Sequence, residues 1–438
     1  MANNKNIKER VISLYPILAV NFVGTLGFSI VLPFLIFLVT RFGGNAVIYG
    51  IMGATYSAFQ LIGAPILGKW SDIYGRKKIL LLSQLGTLIS WFIFLIALYL
   101  PRYNLMNMDS SLLGAFTLTL PLIVLFFARA LDGITGGNVS VANAYLADIT
   151  DEDNRSENFG KMAVAANLGF IIGPALAGLL GTTSWGETLP VLAALLISVA
   201  ATLIIIFFLS ESKSRPIEKD PEAINIRKVM GQEQKECYKI DCKEEYSIGD
   251  ILKLKNIFYL LILYFLIFLG FNFFYISFPV HALKVLRWDI TTIGIFFSFM
   301  GLMMVIVQGP ILKRASKKYS DFILTTIGSL ILAISFLFYI YNVEWLIYIG
   351  AALLALGNGL MWSSVLSIIS KTADAKYQGT IQGFASSAGS MASIIGLIAG
   401  GLLYEQIGGD IFILSAVIIF IVFLMSIKLL STGISLNS

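Results

Sequence analysis

GKWSDIYGRKK, residues 68–78, runs directly into ILLLSQLGTLISWFIFLIALYL, residues 79–100. The second stretch carries no charged side chain over its 22 residues. Wound as an α-helix it covers about 33 Å, enough to cross a hydrocarbon core of about 30 Å. The first stretch is its opposite, with Lys69, Arg76, Lys77 and Lys78 among 11 residues. Upstream, residues 47–67 form another apolar run. Two membrane-crossing helices joined by a short basic turn is the reading, and the rest of the chain repeats it.

Apolar runs of this kind recur at 14–39, 47–67, 79–100, 115–138, 158–181, 188–210, 255–280, 290–312, 321–341, 345–369, 379–404 and 409–430. The run at 115–138 is expected to continue as helix toward Asp148. None alternates in polarity every second residue as the strands of a membrane barrel do. Of the 438 residues 57% are hydrophobic and 13% charged, too little charge to clothe a soluble domain. The expected fold class is therefore all-α and polytopic, with twelve transmembrane helices.

Charge orients these helices. With both termini on the cytoplasmic side, 26 of the 31 Lys and Arg residues fall in inner segments. Arg41, Arg102, Lys284 and Arg287 fall in outer loops, and Arg129 alone lies within a span. Such a bias sets topology in membrane proteins. The stretch 211–250 mixes charges without an apolar run and reads as a cytoplasmic linker. It divides the chain into an N-terminal six-helix half, 1–210, and a C-terminal six-helix half, 251–438. Cys237 and Cys242 lie together in the linker, but the one histidine, His281, is far from them, so no metal site is expected.

The halves repeat each other. Ile171-Ile172-Gly173 and Gly178-Leu179-Leu180 match Ile394-Ile395-Gly396 and Gly401-Leu402-Leu403 at a constant offset of 223. Ala64-Pro65-Ile66-Leu67 similarly matches Gly309-Pro310-Ile311-Leu312. An even number of spans per unit keeps the two repeats parallel, which places a site between them.

The basic turn carries order that charge alone does not explain. Gly68, Asp72, Gly75 and Arg76 stand in the pattern G-x-x-x-D-x-x-G-R-K/R, which resembles the signature of the major facilitator superfamily and implies a gating loop. Glycines there permit a tight turn, and Asp72 is placed to meet a helix N-terminus or pair with Arg76. In the fourth span, Arg129 and Gly133 resemble the same superfamily's R-x-x-x-G motif. Gly169, Gly173, Pro174 and Gly178 resemble the fifth-span motif of its drug–proton antiporters, with Ala177 where Gly is usual. Small residues four apart let helix backbones approach, and Pro174 bends the helix. Residues 129–181, Arg287-Trp288-Asp289 and Glu211-Ser212 are most similar to the tetracycline-efflux-like branch. One departure is plain: Asn21 stands where that branch carries a titrating Asp or Glu.

An ionisable residue inside a span is expensive and marks function by default. Arg129 and Asp132 are three apart, on neighbouring positions of one helix face, and are candidates for proton coupling. A mutually neutralised structural pair is the other reading. Candidates for lining a substrate cavity are Asn21, Tyr56, Gln60, Asn138, Asn143, Asn167, Asn272, Tyr275, Asn358, Trp362 and Gln382. Each could instead be an interhelical hydrogen-bonding group. Trp185, Trp288 and Trp345 fall at outer boundaries and read as interface anchors.

These residues imply a secondary active transporter: proton-coupled efflux of a small hydrophobic or amphipathic solute by alternating access. Uptake or exchange of a polar metabolite is the alternative, and a sensor without flux is the third. Nothing resembles a nucleotide loop, a catalytic triad or a haem site, so no enzymatic reaction and no cofactor are expected. The expected partners are the solute, protons and the lipid bilayer, without nucleic acid. The chain is expected to be a monomer, and the resemblance implies a bacterial inner membrane.

Overall fold

The computed structural model describes residues 13–31, 33–136, 138–150, 155–212, 257–372 and 378–433. The linker beyond Ser212, with Cys237 and Cys242, lies outside the described residues.

The first span is two helices, α1 (Tyr15–Ser29) and α2 (Leu35–Arg41). Pro33 sits in the break, where its missing N–H and fixed φ end the ladder. Spans two and three are α3 (Ala46–Tyr74) and α4 (Arg76–Tyr99). An antiparallel hairpin follows, β1 (Asn104–Ser110) and β2 (Gly114–Thr119). Span four is broken into α5 (Leu120–Thr135) and α6 (Asn138–Asp148) around Gly136. Spans five and six are α7 (Arg155–Gly181) and α8 (Thr188–Phe207). Spans seven and eight are α9 (Ile257–Lys284) and α10 (Ile290–Ile306). The latter continues through a π-helical segment, Val307–Ile311, into α11 (Leu312–Ala315). Pro310 lies in that segment and removes a ladder hydrogen bond there. The last four spans are α12 (Asp321–Leu337), α13 (Glu344–Thr372), α14 (Gln378–Ile407) and α15 (Ile411–Gly433).

Among the described residues, nine helical windows are long and apolar enough to cross a membrane. The last of them, Ser387–Leu429, covers both α14 and α15, and the broken first and fourth spans fall short of the criterion. The twelve expected spans are all present.

Two expectations need correction. Residues 115–119 are strand, not helix, so the fourth span starts at Leu120. Phe116-Thr-Leu-Thr119 alternates apolar and β-branched residues, and Pro121 suits only the first turn of a helix. Asn45 donates its amide to the Leu113 carbonyl at 2.7 Å, and Thr117 N–H donates to the Gly43 carbonyl at 2.8 Å. Those bonds tie the hairpin to the turn before α3. The expected basic loop, in turn, is a single residue. Helix runs to Tyr74 and restarts at Arg76, and Gly75 alone makes the break with φ 99°, a conformation open to glycine.

On the side of the membrane bearing the hairpin, the first six spans meet the last six along two seams of bare backbone. At one, a Cβ on Gly294 of α10 would stand 2.7 Å from the Gly178 Cα of α7. Thr291 donates its hydroxyl to the Gly178 carbonyl at 3.1 Å across the same seam. At the other, a Cβ on Gly401 of α14 would stand 2.5 Å from the Ala46 carbonyl oxygen of α3, and Gly50 abuts Leu397. Gly178 and Gly401 are the pair matched at the offset of 223, so the repeat is expressed as two equivalent seams.

Candidate functional site

Between the seams and the basic turns lies a cavity of about 420 Å³. Helix α9 supplies Phe268, Phe271, Asn272 and Tyr275, one helical stripe facing it. Phe28, Phe170 and Phe297 close it from α1, α7 and α10, and Trp362 from α13. The result is a mostly aromatic chamber with a few polar groups, the usual make-up of a small-molecule site. A smaller cavity of about 250 Å³ adjoins it, lined by Ser57, Gln60, Tyr264, Phe268, Ser390 and Ser393 among others.

Arg129 lines the large cavity and is buried. Its Nη1 donates to Asp132 Oδ2 at 3.2 Å, within one helix. The guanidinium also lies over the Tyr56 ring, 4.5 Å from the centroid, a cation–π contact. Asp132 is itself buried but does not line the cavity, so the carboxylate stands behind the arginine. The helix that carries it is packed at close range: a Cβ on Gly133, the next residue, would stand 2.5 Å from the Tyr56 carbonyl oxygen. Rigid packing therefore fixes where the pair sits.

At the basic turn, Arg76 is 3% exposed and donates Nε to Asp148 Oδ2 of α6 at 3.0 Å. It also donates to the Ser71 hydroxyl, which accepts. Ser212 donates to the same Asp148 oxygen at 3.0 Å. Glu211 takes the N-terminus of α4, accepting the Lys77 N–H at 3.2 Å, where a carboxylate meets unsatisfied donors and the positive end of the helix. The ends of spans two, three, four and six are thus tied into one network.

The antiporter-like motif divides its work. Gly169 and Gly173 face α1: Ser29 donates to the Gly169 carbonyl at 2.8 Å, and a Cβ on Gly173 would stand 2.9 Å from the Ile30 nitrogen. Gly178, one and a half turns on, faces the other half at Gly294. Pro174 lines the cavity between these contacts.

A family model described as "Major Facilitator Superfamily" matches residues 17–343 and 260–433. The chain belongs to that superfamily. It is 28% identical over 406 residues to the class H tetracycline resistance protein of Pasteurella multocida, covering 90% of this chain and 89% of that one. It is 26% identical over 393 residues to the class D tetracycline resistance protein of Salmonella ordonez, covering 89% of each. Its fold matches the crystal structure of a D-xylose–proton symporter with TM-score 0.69 at 13% identity, covering 94% of this chain and 96% of that one. This superfamily member is a multi-pass integral membrane protein that transports small molecules, and not an enzyme.

The structure gathers six of the expected cavity residues around the large chamber: Tyr56, Asn167, Asn272, Tyr275, Asn358 and Trp362. Gln60 lines the smaller one and donates to the Gly136 carbonyl at 3.1 Å. Asn21 lines neither; its amide donates to the Met162 carbonyl at 2.9 Å and joins α1 to α7. Asn143 is exposed on α6 and lines neither cavity. The side chains of Asp72, Asn138 and Gln382 lie outside the described residues. Sequence reading missed Phe28, Phe170, Phe271 and Phe297, because a phenylalanine in an apolar span looks the same whether it faces lipid or cavity. The 268, 271/272, 275 spacing on α9 was the available signal.

Trp288 differs from the other two tryptophans. Trp185 and Trp345 are exposed as expected of interface anchors, but Trp288 packs on Phe278 and Phe296, with centroids at 5.9 and 5.8 Å. His281, far from the cysteines in sequence, has close partners in the structure. It is buried between Asn342, whose Oδ1 lies 2.9 Å from Nε2, and Tyr404, whose hydroxyl lies 3.2 Å from Nδ1. The Nε2–H tautomer satisfies both partners and links α9, α14 and the turn before α13.

Proposed function

We propose that this superfamily member exports a small hydrophobic or amphipathic solute in exchange for protons, by alternating access, with Asp132 as the coupling carboxylate. The observation that carries the reading is the buried Arg129–Asp132 pair at 3.2 Å, with the arginine on the cavity wall and the carboxylate behind it. Deprotonated, the pair is neutral beside an aromatic cavity suited to an apolar body. Protonated, Asp132 no longer balances the guanidinium, and a net positive charge stands at the cavity wall. A carboxylate whose distance from a guanidinium differs between two conformations differs in proton affinity as well. Proton and solute would then occupy alternate states. The likeness to tetracycline resistance proteins over about nine-tenths of the chain supports efflux.

The remaining features fit this reading. The seams close the hairpin side, which leaves the solute to reach the cavity from the side of the basic turns, cytoplasmic by the charge bias. The two six-helix halves rock about the cavity as a monomer, both termini and the linker on the cytoplasmic side of a bacterial inner membrane.

The test is transport in proteoliposomes with imposed pH or sodium gradients. Asp132→Asn is expected to abolish accumulation against a gradient while leaving solute binding and downhill exchange measurable. Uphill transport by this variant with an unchanged proton requirement would make the pair structural.

A further inference from the structure

The two cavities are one tract with two chemistries. They share Ser57, Phe268 and Ser393, and the smaller lies about one helical turn nearer the basic turns on α3, α9 and α14. At the junction Phe268 and Trp362 stand with ring centroids 4.5 Å apart. Beyond them aromatic lining gives way to hydroxyls.

Two of those hydroxyls are unusual. A serine inside a membrane helix commonly bonds back to its own backbone, as Thr55 does to the Ile51 carbonyl at 2.8 Å. Ser57, two residues on, and Ser390 on the facing helix make no hydrogen bond to another described residue. Ser393 accepts from Asn272 at 3.2 Å, which leaves its own proton to donate. Both serines are half-buried, so their hydroxyls are open to the chamber and are free to meet water or a ligand there. The chamber they line is polar yet contains no Asp, Glu, Lys or Arg among its described residues. In the large chamber the charge of Arg129 is balanced by Asp132 through Nη1, although its Nε is buried without a partner among the described residues. A charged group in the smaller chamber would lose its hydration and gain no countercharge.

We propose that the tract takes a bipartite solute, a planar aromatic body in the large chamber with an uncharged, hydroxyl-rich appendage in the small one. An aryl glycoside is the simplest ligand of this class. The inference rests on the large cavity being the transport site and names the part of the solute which that reading leaves open.

The experiment is equilibrium binding to the purified full chain in lipid nanodiscs without any gradient, using two fluorescent probes. One is 4-methylumbelliferyl β-D-glucoside; the other, 7-methoxy-4-methylcoumarin, keeps the ring system and lacks the sugar. The glucoside should bind about tenfold more tightly, the worth of one or two satisfied hydrogen bonds. Ser57→Ala and Ser390→Ala should each reduce that preference severalfold and leave the methoxycoumarin unchanged. Phe297→Leu, in the aromatic chamber, should weaken both probes alike. Equal binding of the two probes, or a preference indifferent to both serine variants, overturns the proposal and makes the chamber a wet vestibule. So does binding of neither probe. Glucoside preference without gradient-driven flux would sustain it and sink the antiport reading. Methoxycoumarin efflux without glucoside preference would do the reverse.

Discussion

The first six spans and the last six share a duplicated sequence and matching glycine seams, yet their interiors are built from different chemistry. In the first six, Arg76 and Arg129 are buried against Asp148 and Asp132 at 3.0 and 3.2 Å. In the last six, Phe274, Phe278, Phe296, Tyr339 and Phe412 stack in a cluster whose touching rings have centroids 4.3 to 6.4 Å apart. Ion pairs in a low-dielectric interior change energy steeply with distance and protonation. Contacts between uncharged rings change little with protonation. The comparison therefore assigns sensitivity to the first six spans and rigidity to the last six, in keeping with the coupling role proposed for Asp132.

The largest expected effect that would break this contrast is on Arg129. Arg129→Met leaves Asp132 buried without its partner and is expected to cost about 3–5 kcal/mol of stability. Removing both charges in Arg129→Met/Asp132→Leu should restore most of that. Unfolding in detergent micelles measures both, and a single variant as stable as the parent would show that the pair carries no structural weight. A smaller effect is expected in the ring cluster. Phe278→Leu keeps an apolar side chain but loses edge and stacked contacts, for about 1 kcal/mol. That loss should be the same from pH 5 to pH 8, whereas a pH-dependent loss would undo the assignment of rigidity.

The smallest effect sharpens the comparison at one charged group of the last six spans that is exposed. Asp289 accepts from the Thr292 N–H at 2.8 Å and caps α10, after Arg287 turns the chain with φ 59°. The side-chain and backbone bonds from Thr292 hold its carboxyl below the usual carboxylate range. A depressed folded-state pKa contributes stability above the unfolded value and loses it as pH falls through the folded one. Asp289→Ala should thus cost about 0.5 kcal/mol at neutral pH. The gap between parent and variant should close as the pH is lowered below about 4. A gap that stays constant into acid would mean that the cap works without its charge.

Much of this was legible beforehand, and the failures are instructive. The expected start of the fourth span at 115 failed because Phe116 and Leu118 extend the apolar run, and hydropathy does not distinguish a strand from the first turn of a helix. Asn21 was expected at the cavity because it is polar within a span, but polarity does not say which neighbour satisfies it, and α7 does. Glu211 was read as part of a resemblance and as the first charge of the linker. Its place at the N-terminus of α4 depends on span six ending beside span three.

Length and hydrophobicity by themselves determined the twelve spans, since a bilayer demands about 20 apolar residues per crossing whatever surrounds them. Charge placement gave an orientation, and spacing put Arg129 beside Asp132, because three residues is nearly one turn. Tertiary structure decided what no single helix contains. It turned the arginine to the cavity and the carboxylate away, set Gly178 against Gly294 and Gly401 against Ala46, and joined an aromatic chamber to a serine-lined one. Those are relations between faces of different helices, and the azimuth of a nearly uniform apolar helix is fixed only when its neighbours pack against it.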